Sequence, residues 1–163
     1  MTRPSPARLL AASLAALALP AAAATCAVTV PGFAFGNYDA LSPAPTDSST
    51  VLQVECQWTG APASETVAYT VALSTGTGSF SARTMLGGSH ALQYNLYTSP
   101  AIGPATVWGD GTGGSMLVAG ALGPLSASVP VLVANHPIHG RIPARQDVPV
   151  GSYGASVLVT LTY

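Results

Sequence analysis

Apolar and polar residues alternate with a period of two along several short stretches of the chain, which is the pattern of half-buried β-strands. In one stretch Leu92, Tyr94 and Leu96 share a face, with polar residues between them. We predict a strand for each such stretch. The stretches are residues 51–56, 67–73, 92–97 and 157–163.

Glycine and proline separate these stretches. The chain contains 17 Gly and 14 Pro, which is too many for a long helix beyond the N-terminus. Short strands at this spacing are typical of a β-sandwich or barrel. No linker or repeat divides the chain, so we predict one all-β domain, with residues 43–50 as its most loop-like part. The turn signals are residues 42–45, 60–62, 76–78, 87–88 and 109–111.

The N-terminus has the three-part order of a secretory signal peptide. Arg3 and Arg8 precede an uncharged apolar run at residues 9–19, Pro20 ends that run, and small residues follow at 22–24. The run is shorter than the roughly 20 apolar residues that a transmembrane anchor needs. We therefore predict a signal peptide at residues 1–24, an exported domain at residues 25–163, and no membrane insertion.

The charge of the exported domain excludes some partners. Two of the five basic residues leave with the signal peptide, so three arginines remain against six acids, and the chain has no lysine. Such a chain has no basic surface for nucleic acid and no polybasic patch for anionic lipid. Only 7% of residues are charged while 48% are hydrophobic, which indicates a surface rich in small polar residues, one covered by a partner, or both.

Two cysteines remain after export, Cys26 and Cys56. An even pair in an oxidising compartment is typical of one disulfide. Closing a loop of about 30 residues stabilises the fold by roughly 3–4 kcal/mol in the chain-entropy treatment. A metal or redox role is less favoured because there is no CxxC pair.

The other candidate chemistries have weaker support. His136 and His139 are three positions apart with Pro137 between them, unlike the i, i+4 pair of a zinc-binding helix. We interpret them, and His90, as surface or hydrogen-bonded histidines. Asp110 lies in a glycine-rich turn without the alternating acids of a calcium loop, so an Asx turn is favoured. A catalytic triad assembled from distant residues is left open by the sequence, but we predict no catalytic residue, metal or cofactor.

Trp58 and Trp108 are the candidates for stacking on a sugar ring. In a small all-β domain, large aromatic side chains more often pack in the core or at a sheet edge. We therefore favour packing for both tryptophans.

Six short blocks, which run in order through the exported domain, resemble the spore coat protein U domain family. That family includes the subunits of archaic, Csu-type chaperone–usher pili. Each block is weak alone, and their order makes the resemblance specific. The blocks are FGNYD at 35–39, ARTM at 82–85, LQYNLY at 92–97, VWGDG at 107–111, GRIPA at 140–144 and GSY with VLVTLTY at 151–163.

The resemblance implies an incomplete immunoglobulin-like β-sandwich that lacks its final strand and exposes a hydrophobic groove. It also implies three partners: a periplasmic chaperone that lends a strand, an outer-membrane usher, and sister pilin subunits that replace the lent strand. The protein would then be a structural subunit at the cell surface, in a pilus or coat for adhesion, and not an enzyme.

The last strand pattern supports this expectation. Val157, Val159, Leu161 and Tyr163 share one face, and the pattern is still running where the sequence ends. A long apolar edge strand aggregates unless another strand pairs with it, and an added strand supplies backbone hydrogen bonds and side chains for pockets. We expect these four residues to line the groove.

The family pattern is not matched everywhere. Residues 154–156 and His139 differ from it, and we found no functional reason for either difference. With cleavage after residue 24, Cys26 would be the second residue of the exported chain, so no donor strand would precede it. We expect a subunit that accepts a strand but gives none, which would cap a fibre at its tip or be shed as a coat-type protein.

Two alternatives come from other classes. A self-contained secreted module that binds carbohydrate or another surface would have its C-terminal edge paired internally. A secreted hydrolase would have a pocket with convergent titratable groups, and the sequence identifies none.

Overall fold

The computed structural model describes residues 24–163, which form two antiparallel β-sheets packed face to face. One sheet has the strand order β1-β2-β7-β5-β4 and the other has the order β6-β3-β8. This is an incomplete immunoglobulin-like β-sandwich, as predicted. The strands are β1 (Ala24–Thr29), β2 (Thr46–Trp58), β3 (Ser64–Leu73), β4 (Arg83–Gly87), β5 (His90–Tyr97), β6 (Val118–Ser126), β7 (Val131–Ile142) and β8 (Val159–Thr162), with a 3-10 helix at Pro104–Thr106.

The strands predicted from alternation are present. Residues 51–56, 67–73 and 92–97 lie inside β2, β3 and β5, and the last stretch contains β8. The loop predicted for residues 43–50 is wrong from residue 46 onward, because β2 begins at Thr46 and pairs there with Ile142 of β7. The first 23 residues of the predicted signal peptide lie outside the described residues. Residues 24–163 contain no helix with the length and apolar character needed to cross a membrane.

The core lies between the two sheets and is built from the inward faces of the alternating strands. Leu52 and Val54 of β2, Val71 of β3 and Ile138 of β7 are almost completely buried. Each fully buried side chain of this kind contributes about 1.5–3 kcal/mol relative to an exposed one. Trp108, on the segment before β6, is 1% exposed and belongs to this core.

The predicted disulfide is present. Cys26 of β1 lies directly opposite Cys56 of β2 in the strand register, and the two sulfur atoms are bonded. The bond fixes β1 to the edge of the five-stranded sheet, because β2 is its only strand neighbour within the described residues 24–163.

A buried arginine joins three of the sequence blocks. Arg83 of β4 donates hydrogen bonds to Asn95 Oδ1 at 2.6 Å, to the Trp108 carbonyl at 2.7 Å and to the Ser74 carbonyl at 3.0 Å. Its guanidinium carbon lies 5.3 Å from the centre of the Phe80 ring. Burial lowers the pKa of Arg83, and neutral oxygen atoms satisfy its donors. The blocks ARTM, LQYNLY and VWGDG thus meet at one structural centre.

Candidate functional site

An open groove separates the segment after β1 from the C-terminal strand. One wall lies within residues 30–35 and the other within residues 153–159, while Leu73, Leu96 and Trp108 belong to its floor. The volume of the groove is about 430 Å³. Protein cores are normally close-packed, so an opening that reaches core side chains marks a place where the sandwich lacks a strand.

The structure places two of the four predicted groove residues at the wall of the groove. Val157 and Val159 line it. Leu161 is partly buried against the core beyond this stretch, and Tyr163 is 54% exposed. Leu158, between the two valines, is 68% exposed and lies on the other face. Whether a partner strand covers these residues stays a prediction.

One edge of the C-terminal strand has no strand beside it. Within residues 24–163, β8 has only β3 as a strand neighbour. Just before β8, Leu158 accepts a hydrogen bond from the Ser74 backbone amide at 2.9 Å, and its own amide donates to Ser74 Oγ at 2.9 Å. Further back, Gly154 exchanges two backbone hydrogen bonds with Leu86 of β4. An unpaired strand edge is a template for another strand.

Aromatic side chains complete the groove, and glycines make room for them. The Phe33 and Phe35 rings are 4.9 Å apart and lie over Gly140, where a Cβ atom would fall 2.5 Å from the Phe33 ring. Tyr153 lies over Gly87, where a Cβ atom would fall 2.8 Å from its ring. These aromatic residues were not predicted from the sequence to line the groove. Phe33 and Phe35 are two positions apart, which puts their side chains on one face of an extended segment, and this spacing could have indicated their role.

A second cavity of about 840 Å³ continues the groove between residues 33–41 and residues 148–153. The groove is therefore longer than β8 alone and offers apolar surface to a partner segment longer than four residues. The two cavities share the side chains of Phe33, Phe35, Met85 and Tyr153.

The histidines do not form a common site. His136 faces the core from β7, and its Nε2 atom lies 2.7 Å from the hydroxyl oxygen of Tyr69. Burial lowers the pKa of His136. His139 occupies the opposite face of β7, and His90 is exposed at the start of β5. Across residues 24–163, no group of three His, Cys, Asp or Glu side chains is placed to hold a metal ion.

Asp110 makes the Asx turn that its sequence context predicts. Its Oδ1 atom accepts hydrogen bonds from the Thr112 backbone amide at 2.9 Å and from the Thr112 hydroxyl at 2.6 Å. The bond from the hydroxyl is the largest cause of the lowered pKa of this carboxyl group.

Both tryptophans pack as expected. The Trp108 indole donates to the Val71 carbonyl at 3.0 Å inside the core, so this ring cannot stack on a ligand. The Trp58 indole donates to the Pro62 carbonyl at 2.8 Å and packs against the edge of the core.

A solved structure shares the fold of this chain. Among solved structures, the chain resembles one chain of the CsuC–CsuE complex from archaic chaperone–usher Csu pili of Acinetobacter baumannii, described as a chaperone–tip adhesion subunit pre-assembly complex. The TM-score is 0.53 at 19% sequence identity, and the match covers 86% of this chain but 40% of that chain. This likeness supports the fold.

The sequence comparisons are more specific. A search of curated proteins gives no significant match. The family model described as Spore Coat Protein U domain matches residues 11–160, so the match begins inside the predicted signal peptide. Because this match spans most of the sequence, the chain belongs to the Spore Coat Protein U domain family.

Proposed function

We propose that this protein is a structural, non-enzymatic subunit of a surface pilus or coat, and that its groove accepts a β-strand from a partner. A periplasmic chaperone supplies the strand first, and a sister subunit replaces it at an outer-membrane usher. The open groove beside the unpaired edge of β8 carries this proposal. Family membership and the likeness to a chaperone–subunit complex support it.

Strand addition matches the chemistry of the groove. An incoming strand would form backbone hydrogen bonds with the free edge of β8. Alternate side chains of a strand point to the same face about 6–7 Å apart, so every second residue of the donor would enter the groove. Apolar residues suit these positions because Leu73, Leu96 and Trp108 form part of the floor. Each buried apolar side chain would contribute about 1.5–3 kcal/mol.

Two neighbouring residues of the C-terminal segment allow a matched test. Val157 lines the groove while Leu158 is exposed on the other face. A carboxylate at position 157 would be buried without a partner under the donor strand, at a cost of several kcal/mol. We expect the parent chain to co-purify from periplasm with the chaperone in a one-to-one complex. The Leu158→Asp variant should form the same complex, and the Val157→Asp variant should not.

Two results would contradict the strand-acceptor proposal. One is that both substitutions have the same effect on complex formation. The other is that the parent chain purifies alone as a stable, disulfide-bonded monomer. In the second case the sandwich is complete without a partner, and the alternative of a self-contained carbohydrate- or surface-binding module replaces the pilus function.

Whether the subunit lies at the tip or in the shaft of a fibre depends on whether its N-terminus can act as a donor strand. Residues 24–29 pair with β2 along their whole length, and Cys26 is bonded to Cys56, so this segment is committed to its own sheet. With cleavage after residue 24, the exported chain would accept a strand but have none to give, which suits a tip subunit. This step rests on the predicted cleavage site.

Mass spectrometry of the exported chain tests the cleavage site. Offering donor peptides to each subunit tests the assignment to the tip. We expect the subunit to bind a donor peptide from a sister subunit, and its own N-terminal peptide not to bind that sister. Equal exchange in both directions would overturn the tip assignment and leave the strand-acceptor function intact.

A further inference from the structure

A second concave surface lies on the outer face of the five-stranded sheet. This surface, termed the outer cleft, has a volume of about 630 Å³. Tyr97 of β5 and Arg141 of β7 line it together with Phe80, and its walls are residues 102–105 and 113–115. It shares no lining residue with the groove, so a ligand in the outer cleft would leave the groove free.

The outer cleft concentrates positive charge in a chain that is otherwise acidic. Among residues 24–163 there are three arginines and six acids, and two of the arginines lie here. Arg141 lines the cleft, and Arg83 is buried behind it, bonded to the lining residue Asn95. None of the lining residues within the described part of the chain is acidic. In that part, the one carboxylate bonded to either arginine is Asp47, which holds Arg141 through two 2.6 Å hydrogen bonds.

Polar donors at the cleft remain available. Arg141 uses Nε and Nη2 on Asp47, which leaves Nη1 without a partner among the described residues. The Tyr97 hydroxyl also has no hydrogen-bond partner within residues 24–163. His139 lies directly across from Tyr97 in the strand register but does not line the cleft.

The cleft also offers the flat apolar face of an aromatic ring and backbone groups that no side chain covers. The Phe80 ring is held in place by the Arg83 guanidinium beside it, and Gly109 leaves space against its edge. Gly113 and Gly114, both at positive φ, add wall without side chains. A sugar ring has apolar C–H faces and hydroxyl edges, so it matches an aromatic surface flanked by hydroxyl and backbone groups.

We propose that the outer cleft binds an acidic saccharide, a sugar of the uronate type, with its carboxylate on Arg141 and ring hydroxyls on Tyr97. An arginine is the preferred partner of a carboxylate because its planar fork matches the two oxygens. Asp47 orients that fork by holding its other edge. This assignment does not rest on the strand-acceptor function, since a filled or an empty groove leaves the outer cleft unchanged.

The test is a calorimetric titration of the exported chain, with its chaperone bound if the chain needs one, using oligogalacturonate. Arg141→Gln and Arg145→Gln remove the same charge, but only Arg141 lines the cleft, which makes the second variant the matched control. We expect saturable binding that Arg141→Gln weakens about tenfold or more, because the substitution removes a charge-assisted hydrogen bond to the carboxylate. Tyr97→Phe should also weaken it, and Arg145→Gln should leave it unchanged.

Other results would overturn the proposal. These are an absence of saturable binding, equal affinity for a neutral galactose oligomer, equal weakening by Arg145→Gln, or tighter binding of a peptide with a free C-terminal carboxylate. The last result would assign the cleft to peptide ends. If Arg141→Gln does not fold, Tyr97→Phe still tests the site, because it removes one hydroxyl and keeps the ion pair with Asp47.

Discussion

Replacing the buried arginine with a methionine is the sharpest test of how this fold holds its groove. Arg83 is fully buried and donates to the carbonyls of Trp108 and Ser74 and to Asn95 Oδ1. Trp108 belongs to the floor of the groove. Methionine is about as long and is apolar, so Arg83→Met removes the donors while filling much of the space.

The expected loss follows from the acceptors left behind. Two backbone carbonyls, of Trp108 and Ser74, lose the donor that the structure gives them, and each stranded buried acceptor costs about 1–3 kcal/mol. Removing the buried charge offsets part of this loss in the free energy of unfolding, because burying a guanidinium away from water is itself costly. We expect the free energy of unfolding to fall by about 2–4 kcal/mol. Arg83→Lys should lose at least as much, since one ammonium cannot reproduce the planar fork.

The measurement is urea unfolding of residues 25–163, the predicted exported domain, at a fixed, saturating concentration of donor peptide, followed by tryptophan fluorescence. Arg141→Met is the control, because its ion pair with Asp47 is partly exposed and such pairs contribute about 0.2–1 kcal/mol. The reasoning fails if Arg83→Met stays within about 1 kcal/mol of the parent, or if Arg83→Lys restores parental stability.

Three further predictions concern stability. Replacing Cys26 and Cys56 by alanine should lower the free energy of unfolding by about 3–4 kcal/mol, and unchanged thermal unfolding would contradict this. His136 has a lowered pKa in the folded state, so the unfolded chain binds its proton first. The contribution of His136 to the free energy of unfolding is therefore complete above its ordinary pKa of 6.5, and it is lost as the pH falls through the lowered pKa of the folded state. His136→Gln should reduce this pH dependence, which urea unfolding at several pH values measures. Gly140→Ala should displace the Phe33 ring and so weaken binding of the donor peptide, measured by titration. Unchanged affinity would show that the groove binds the donor equally well with the ring displaced.

Local alternation explains what could be predicted of the fold. The inward face of β5 was correctly predicted from Leu92, Tyr94 and Leu96, because the side-chain direction within a strand depends only on that strand. The first residues of β2 were missed, since residues 46–50 are polar and resemble a loop. That segment is a strand because its backbone pairs with residues 138–142 of β7, which are far away in the chain.

Strand β6 was missed for a related reason. Its sequence is rich in glycine and alanine, which gives no alternating signal. The glycines have a tertiary cause: Gly120 leaves room for the Tyr69 ring and Gly123 leaves room for Thr66. The segment around Pro137 was compatible with a strand or a loop, and the structure places it inside β7. Because β5 pairs with β7 only at residues 139–141, β2 is the one described strand beside Pro137, and proline is tolerated at such an edge position.

Local periodicity, composition and short ordered blocks were enough to predict the all-β class, the cysteine pair, the family and the alternating face of the last strand. The residues opposite that strand could be found only in the folded chain, where Phe33 and Phe35 form the facing wall of the groove. The same is true of the outer face, where Tyr97 and Arg141 share a cleft. Both depend on the order of strands in the sheets, and that order joins residues far apart in the chain through contacts that no local pattern records.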